Sequence, residues 1–189
     1  HRATTGNISI FVGGSREGFD KAMPVLKCLG RKILYTGDFG SASILKVITN
    51  YLATVHLVAL GEAWTIASKS NLDLNKTFKG IAASSGNSFV HETESQVILN
   101  GSYNINFTMD LVEKDVGLFQ DLASKLGIEL EISPLVFDII KDARKTFGDR
   151  AWSSMVVKRL ENKYNTAFRA EGYPEELIDL EEKSLGYEI

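Results

Sequence analysis

Apolar residues recur through the first third of the chain with two different periods. Between Asn7 and Val12 they alternate, with Ile8, Ile10 and Val12 on one side and Ser9 and Phe11 on the other, and the run stops at Gly13-Gly14, which predicts a strand. A helical spacing runs from about Glu17 to Leu29 and ends at Gly30, and Lys32 to Thr36 is a second short strand. Strand, helix and strand in close succession are a βαβ-like unit, normally part of a larger sheet, because two strands alone make a poor one.

From Ser41 to Ser70 no proline interrupts the pattern, and a single long helix is expected, with Ser41 or Ser43 capping its first amides. Ile44, Leu45, Val47, Ile48, Leu52, Val55, Leu57, Val58 and Leu60 go nearly all the way round it. Such a helix is expected to be covered by other elements or by a second chain.

The remainder reads as helical almost to the end. Asp73 caps a short helix carrying Phe78 and Ile81, and the next runs from Phe89 to Leu99 and stops at Asn100-Gly101. Asp110 to Leu126 carries Leu111, Leu118, Leu122 and Leu126 at helical spacings. Ser133-Pro134 supplies a cap and a first-turn proline for a helix to Phe147, and Trp152 to Tyr164 makes one more. The expected divisions are a strand-helix-strand segment over residues 1–40, the long helix over 41–70, a helical domain over 71–164 and an acidic surface tail over 165–189.

Composition narrows the function classes. A chain of 189 residues with 44% apolar content can build a core, and a net charge of -3 with scattered Lys and Arg leaves no footprint for nucleic acid. The single Cys28 has no partner for an internal disulfide and reads as a small apolar helix residue. The most apolar window, Tyr51 to Leu60, is too short for a bilayer and contains His56, so no membrane partner is expected. The chain opens at His1 without an initiator Met and without a signal-peptide pattern, and a fragment of a longer protein is the expectation.

Few polar residues stand where chemistry is expected. Lys46 and Asn50 are four apart on one face of the long helix, just after a Gly-rich turn, where an amine and an amide can protonate and orient a carbonyl or hydroxyl; a lysine snorkelling beside a structural Asn is the plainer account. His56 falls off that face and reads as a hydrogen-bonded core histidine. His91 with Glu92 and Glu94 lacks a second histidine at ligand spacing, so no metal is expected. Ser84-Ser85-Gly86-Asn87-Ser88 suits a substrate carboxylate or helix capping equally, and Gly13-Gly14-Ser15-Arg16-Glu17-Gly18 lacks the spacing of a phosphate loop.

The string Gly37-x-x-Gly40-x-Ala42-x-x-x-Lys46-x-x-x-Asn50 resembles GxxGxGxxxKxxxN, the catalytic signature of the β-hydroxyacid dehydrogenases, the family of 3-hydroxyisobutyrate dehydrogenase and tartronate semialdehyde reductase, with Ala42 for one glycine. Lys114-Asp115-Val116-Gly117-Leu118-Phe119-Gln120-Asp121 resembles the family's KDLGxAxD, and Ala3-x-x-Gly6 the tail of its substrate motif DAPVSGGxxxAxxG. The resemblance implies a mainly α fold: an all-helical C-terminal domain of the 6-phosphogluconate dehydrogenase type, preceded by a βαβ-like remnant of a Rossmann-type domain. It implies Lys46 as the general acid and base, with Asn50, Gly40 and Ser41 at the substrate and Lys114, Asp115 and Phe107 toward the cofactor, NAD or NADP, held mainly by a domain outside this sequence. An ammonium in apolar surroundings gives up its proton more readily, which agrees with the role given to Lys46. The 6-phosphogluconate dehydrogenases share the lysine and asparagine but carry His and Glu where this chain has Thr49 and Ala53, which disfavours decarboxylation of a phosphorylated sugar acid.

The function implied is the C-terminal fragment of an oxidoreductase interconverting a small 3-hydroxy acid and its semialdehyde, a homodimer or higher oligomer in the cytoplasm or mitochondrial matrix. The alternative is a non-catalytic helical dimerisation or binding module without a cofactor half.

Overall fold

Strand β1 (Ser9–Gly13) and strand β2 (Lys32–Gly37) pair in parallel from Ser9 opposite Lys32 to Val12 opposite Tyr35, and a bulge then sets Gly13 opposite Gly37. Parallel neighbours need a crossover, and helix α2 (Arg16–Leu29) supplies it, with the Ser15 side chain accepting from the Gly18 amide as its cap. The computed structural model describes residues 2–189. Its contacts divide the chain into two units, one of residues up to Thr49 together with Ile178–Ile189, the other of Asn50–Leu177.

The first unit opens with the short helix α1 (Arg2–Thr5) and is completed from the far end of the chain. Strand β3 (Tyr187–Glu188) pairs in parallel with the outer edge of β2, giving a sheet in the order β1-β2-β3. This differs from the expected surface tail, and the reason is steric as well as pairing. A Cβ on Gly186 would lie 2.0 Å from the Gly30 carbonyl oxygen, so the tail reaches the sheet only because glycine stands there. Phe19 and Ile33 are the deeply buried apolar side chains among the unit's described residues.

Helix α3 (Ser41–Lys69) is continuous over 29 residues. The expected serine cap is corrected: Gly40, at φ +94°, occupies the cap and its carbonyl accepts from the Ile44 amide at 3.1 Å, while the Ser41 hydroxyl donates to the Asp38 carbonyl at 2.7 Å. Ser41 is itself the first helical residue, and its hydroxyl is turned back toward the preceding turn.

In the second unit α3 buries Thr54, Leu57, Leu60, Gly61, Trp64, Thr65 and Ala67. Around it stand α4 (Leu74–Ala82), α5 (Phe89–Asn100), α6 (Met109–Lys125), α7 (Ser133–Phe147) and a 3-10 helix, Ser153–Val157, that leads into α8 (Lys158–Tyr164). Gly61 is where a neighbour comes close, since a Cβ there would lie 3.0 Å from Val157 Cγ1. On α6 the core face is Met109, Val112, Val116 and Ala123, while Leu118 and Leu126 of the leucine stripe are exposed. Ser133 is not the cap of α7: Ile132 holds that place, and the Ser133 hydroxyl is buried without a partner.

Residues after Asn165 form no helix, as their lost periodicity indicates, yet Phe168 and Leu177 are buried. Buried Glu161 organises this return. It accepts from the Phe168 amide at 2.7 Å and from Arg169 Nη1 at 2.8 Å, and Tyr103 donates its hydroxyl to the same carboxylate. A charge taken out of water needs such a full set of partners.

Candidate functional site

The first unit carries the Gly-rich turn and the lysine. Gly37 and Gly40 both take positive φ, +101° and +94°, and open space lies where their Cβ atoms would stand, so backbone is approachable at this turn. Behind it, Ser41 Oγ lies 2.6 Å from Thr36 Oγ1, and Thr36 donates to the Val12 carbonyl at 3.0 Å, which ties the start of α3 to both strands. Leu34, Thr36, Ser41, Ile44, Leu45 and Ile48 line an open, mostly apolar cleft beside it. Lys46 is exposed, so the apolar enclosure expected around it is not supplied by the unit that carries it.

The second unit brings three of the expected site residues together. Asn50 Nδ2 donates to Asp115 Oδ2 at 2.6 Å, across 65 positions of sequence, and Lys114 Nζ stands 3.2 Å from Asp115 Oδ1. Asp115 is only 9% exposed, whereas the Lys114 side chain is 59% exposed. The carboxylate thus spends one oxygen on an amide and the other on an ammonium, and an acidic group this buried requires both. With Nδ2 directed at a carboxylate, the Asn50 amide is fixed in one of its two flips.

An aromatic pair stands beside this group. Tyr51 follows Asn50 on α3, Phe119 lies one turn beyond Asp115 on α6, and their rings stack with centroids 3.9 Å apart and planes 8° apart. Burial raises the pKa of the Tyr51 phenol above its ordinary value. The pair was not anticipated from sequence, although Phe119 stands where the resembled motif has alanine and is therefore a legible departure. Phe107 belongs to the packing of the helical core, and its carbonyl accepts from the Ser153 amide at 2.8 Å.

Two histidines on neighbouring helices differ in burial. His56 is exposed, a correction to its reading as a core residue, because its helix turns Thr54 and Leu57 inward instead. His91 is the buried one, with Nε2 2.9 Å from the Phe78 carbonyl and Nδ1 3.1 Å from Ser95 Oγ, which in turn accepts from Trp64 Nε1 at 3.2 Å. Burial lowers the pKa of His91, and a neutral ring with its proton on Nε2 satisfies every atom in that chain of bonds. No cluster of three or more His, Cys, Asp or Glu suited to a metal occurs among the described residues. Of the polar turn before α5, Ser88 serves as its cap, accepting from the His91 amide at 3.0 Å.

The family described as the NAD-binding domain of NADP-dependent 3-hydroxyisobutyrate dehydrogenase matches residues 40–160. The 2-(hydroxymethyl)glutarate dehydrogenase of Eubacterium barkeri is 30% identical over 157 residues, 82% of this chain and 52% of that protein. The mitochondrial 3-hydroxyisobutyrate dehydrogenase of Rattus norvegicus is 32% identical over 146 residues, 74% of this chain and 44% of that one. The crystal structure of 3-hydroxyisobutyrate dehydrogenase from Salmonella typhimurium superposes with a TM-score of 0.76 at 26% identity, covering 84% of this chain and 56% of that one. The chain spans about half the length of the curated relatives it matches.

Proposed function

Because the chain belongs to the 3-hydroxyisobutyrate dehydrogenase family, we propose that it forms part of an NAD- or NADP-dependent oxidoreductase interconverting a small 3-hydroxy acid and its semialdehyde. The observation that carries the reading is Asn50 held by Asp115, itself next to Lys114, on the residues that match the family's two motifs.

In this reading the cofactor, when bound, takes up or delivers the hydride at the substrate carbon. Lys46 moves the proton: it accepts from the substrate hydroxyl during oxidation and donates to the carbonyl oxygen during reduction. Asn50 lies four residues on, hence on the same helix face, and Asp115 fixes its amide so that Oδ1 accepts from the substrate hydroxyl or from the lysine ammonium. Lys114 fits an anionic cofactor: it is exposed and has N–H donors left over after its contact with Asp115. The positive φ of Gly37 and Gly40 lets substrate approach the backbone ahead of Lys46. Phe107 and Ser41 are assigned supporting roles, Phe107 in packing against the helical core and Ser41 in fixing the turn. A second copy of the chain is the partner proposed for the apolar turns at the start of α3, and an intracellular location accords with the mitochondrial name of the rat relative.

Kinetics decide the role of Lys46. In a polypeptide that joins this chain to a dinucleotide-binding domain, Lys46→Ala should lower kcat by roughly 10² to 10⁴-fold while the cofactor Kd changes little. Lys46→Arg should be nearly as poor, because guanidinium does not release a proton near neutral pH. Near-normal turnover by Lys46→Arg would show a fixed charge in place of a proton carrier and overturn the mechanism.

A further inference from the structure

The last twelve residues of the chain are fastened to the first unit in an unusual way. Tyr187 and Ile189 donate their amides to the Arg31 and Ile33 carbonyls at 3.0 Å each, and Gly186 donates to Lys27 at 2.8 Å. Three acidic side chains complete the attachment. Glu188 takes both arms of Arg16 at 2.5 and 2.9 Å, Glu181 pairs with Arg2 at 2.9 Å, and Asp179 accepts from Asn7 Nδ2 at 2.7 Å and from Thr5.

Apolar burial contributes little here. Ile178, Leu180, Leu185, Tyr187 and Ile189 are all exposed, and Gly186 is the one buried position from Ile178 onward. A segment held by a two-residue strand and exposed ion pairs sits at the low end of local stability, and salt weakens the ion pairs further. What it covers is the free edge of β2, and β2 runs directly into the Gly37–Gly40 turn and α3. That junction is locked to the sheet by Gly14 donating to the Gly37 carbonyl at 2.8 Å and by the Thr36 and Ser41 hydroxyl contact at 2.6 Å.

We propose that Ile178–Ile189 is a releasable edge-strand latch that holds β2, and through it the turn from which α3 and Lys46 start. The functional consequence rests on the reading of Lys46 given above, whereas the latch itself stands on the contacts within the first unit. Seated, the latch keeps the turn rigid; released, it lets β2 and the turn loosen without any change to Lys46 itself.

Amide hydrogen exchange read residue by residue tests this without recourse to activity. Gly186→Ala prevents seating, since its Cβ would meet the Gly30 carbonyl oxygen. The amides of Tyr187 and Ile189 should then exchange about tenfold faster or more, and those of Gly14 and Ser41 should speed up with them, while Met109 and Ala170 in the second unit keep their rates. A chain ending at Leu185 should show the same faster exchange at Gly14 and Ser41 as Gly186→Ala. In the unmodified protein, raising salt to about 0.5 M should move the same four amides in the same direction. Unchanged rates at Gly14 and Ser41 with the latch removed would overturn the coupling, and Tyr187 and Ile189 amides already unprotected in the unmodified protein would overturn the latch. Lys46→Ala should leave every one of these rates alone, so failure of the proposed chemistry and failure of the latch are read separately.

Discussion

Glu94 and His91 lie one turn apart on α5 and respond to burial in opposite directions. Glu94 Oε2 is sealed without a hydrogen-bond partner, and desolvation pushes its carboxyl up to about 8. An unfolded carboxyl ionises near pH 4.3, so between about 4.3 and 8 the unfolded chain releases a proton that the folded one keeps, and stability falls as pH rises through that window. His91 is depressed by burial, so as pH falls below about 6.5 the unfolded chain gains a proton that the folded one refuses, and stability falls toward acid. Denaturation midpoints measured from about pH 7 to 9, above the His91 window, should therefore decline toward the alkaline end for the parent and stay nearly level for Glu94→Gln, each unit of pKa difference being about 1.4 kcal/mol. Equal alkaline slopes in both proteins would mean that Glu94 is ionised in the fold. His91→Gln should likewise remove the acid-side decline, at a cost in overall stability from the broken bonds to Phe78 and Ser95.

At the scale of the element, α3 is two helices in one. From Thr54 on it buries a face in the helical core, but the earlier turns leave Ile44, Ile48 and Leu52, spaced four apart, 47%, 36% and 47% exposed. By length and composition alone this helix could cross a bilayer, but its later turns, with Leu57 and Trp64 almost fully enclosed, pack as a core helix does. An apolar stripe of this kind is an association surface, each buried Å² contributing roughly 25 cal/mol. Sedimentation at micromolar concentration should show a dimer or larger species, and Ile48→Glu should shift it toward the 20.8 kDa monomer. A parent protein that sediments only at 20.8 kDa would remove the second copy from the proposal.

At the scale of the whole molecule, the residue proposed for cofactor contact is Lys114, and no glycine fingerprint of the dinucleotide-binding kind occurs in the 189 residues. Affinity for a pyrophosphate depends on such a turn at a helix N-terminus. Calorimetry on this chain alone should therefore find no micromolar binding of NAD or NADP, and no turnover of hydroxy acids. Micromolar binding would relocate the cofactor site into the units described here. The binding and exchange measurements together separate a deficient cofactor site from a loosened first unit, since the latch variants change amide protection and a missing pyrophosphate turn does not.

Local pattern was enough to fix much of this protein. Two-residue alternation and three-to-four-residue spacing located both strands, the crossover helix and the long α3, because each is decided by neighbours in sequence. The family was legible through the resemblance of the motifs around Lys46, Asn50, Lys114 and Asp115, not through periodicity. Tertiary structure decided what each face meets. A helical period gives α6 a leucine stripe, but only packing turned Val112 and Val116 inward and left Leu118 and Leu126 in solvent. His56 and His91 both read as plausible on their helices, and enclosure by Trp64, Phe78 and Ser95 made one structural while exposure kept the other at the surface. The bond from Asn50 to Asp115, the stack of Tyr51 on Phe119 and the pairing of Tyr187 with β2 join residues far apart in the chain. Such contacts leave no periodic trace, since their geometry exists only after distant helices and strands have docked, and that is why the sequence offered candidate residues while the fold alone disclosed what holds them.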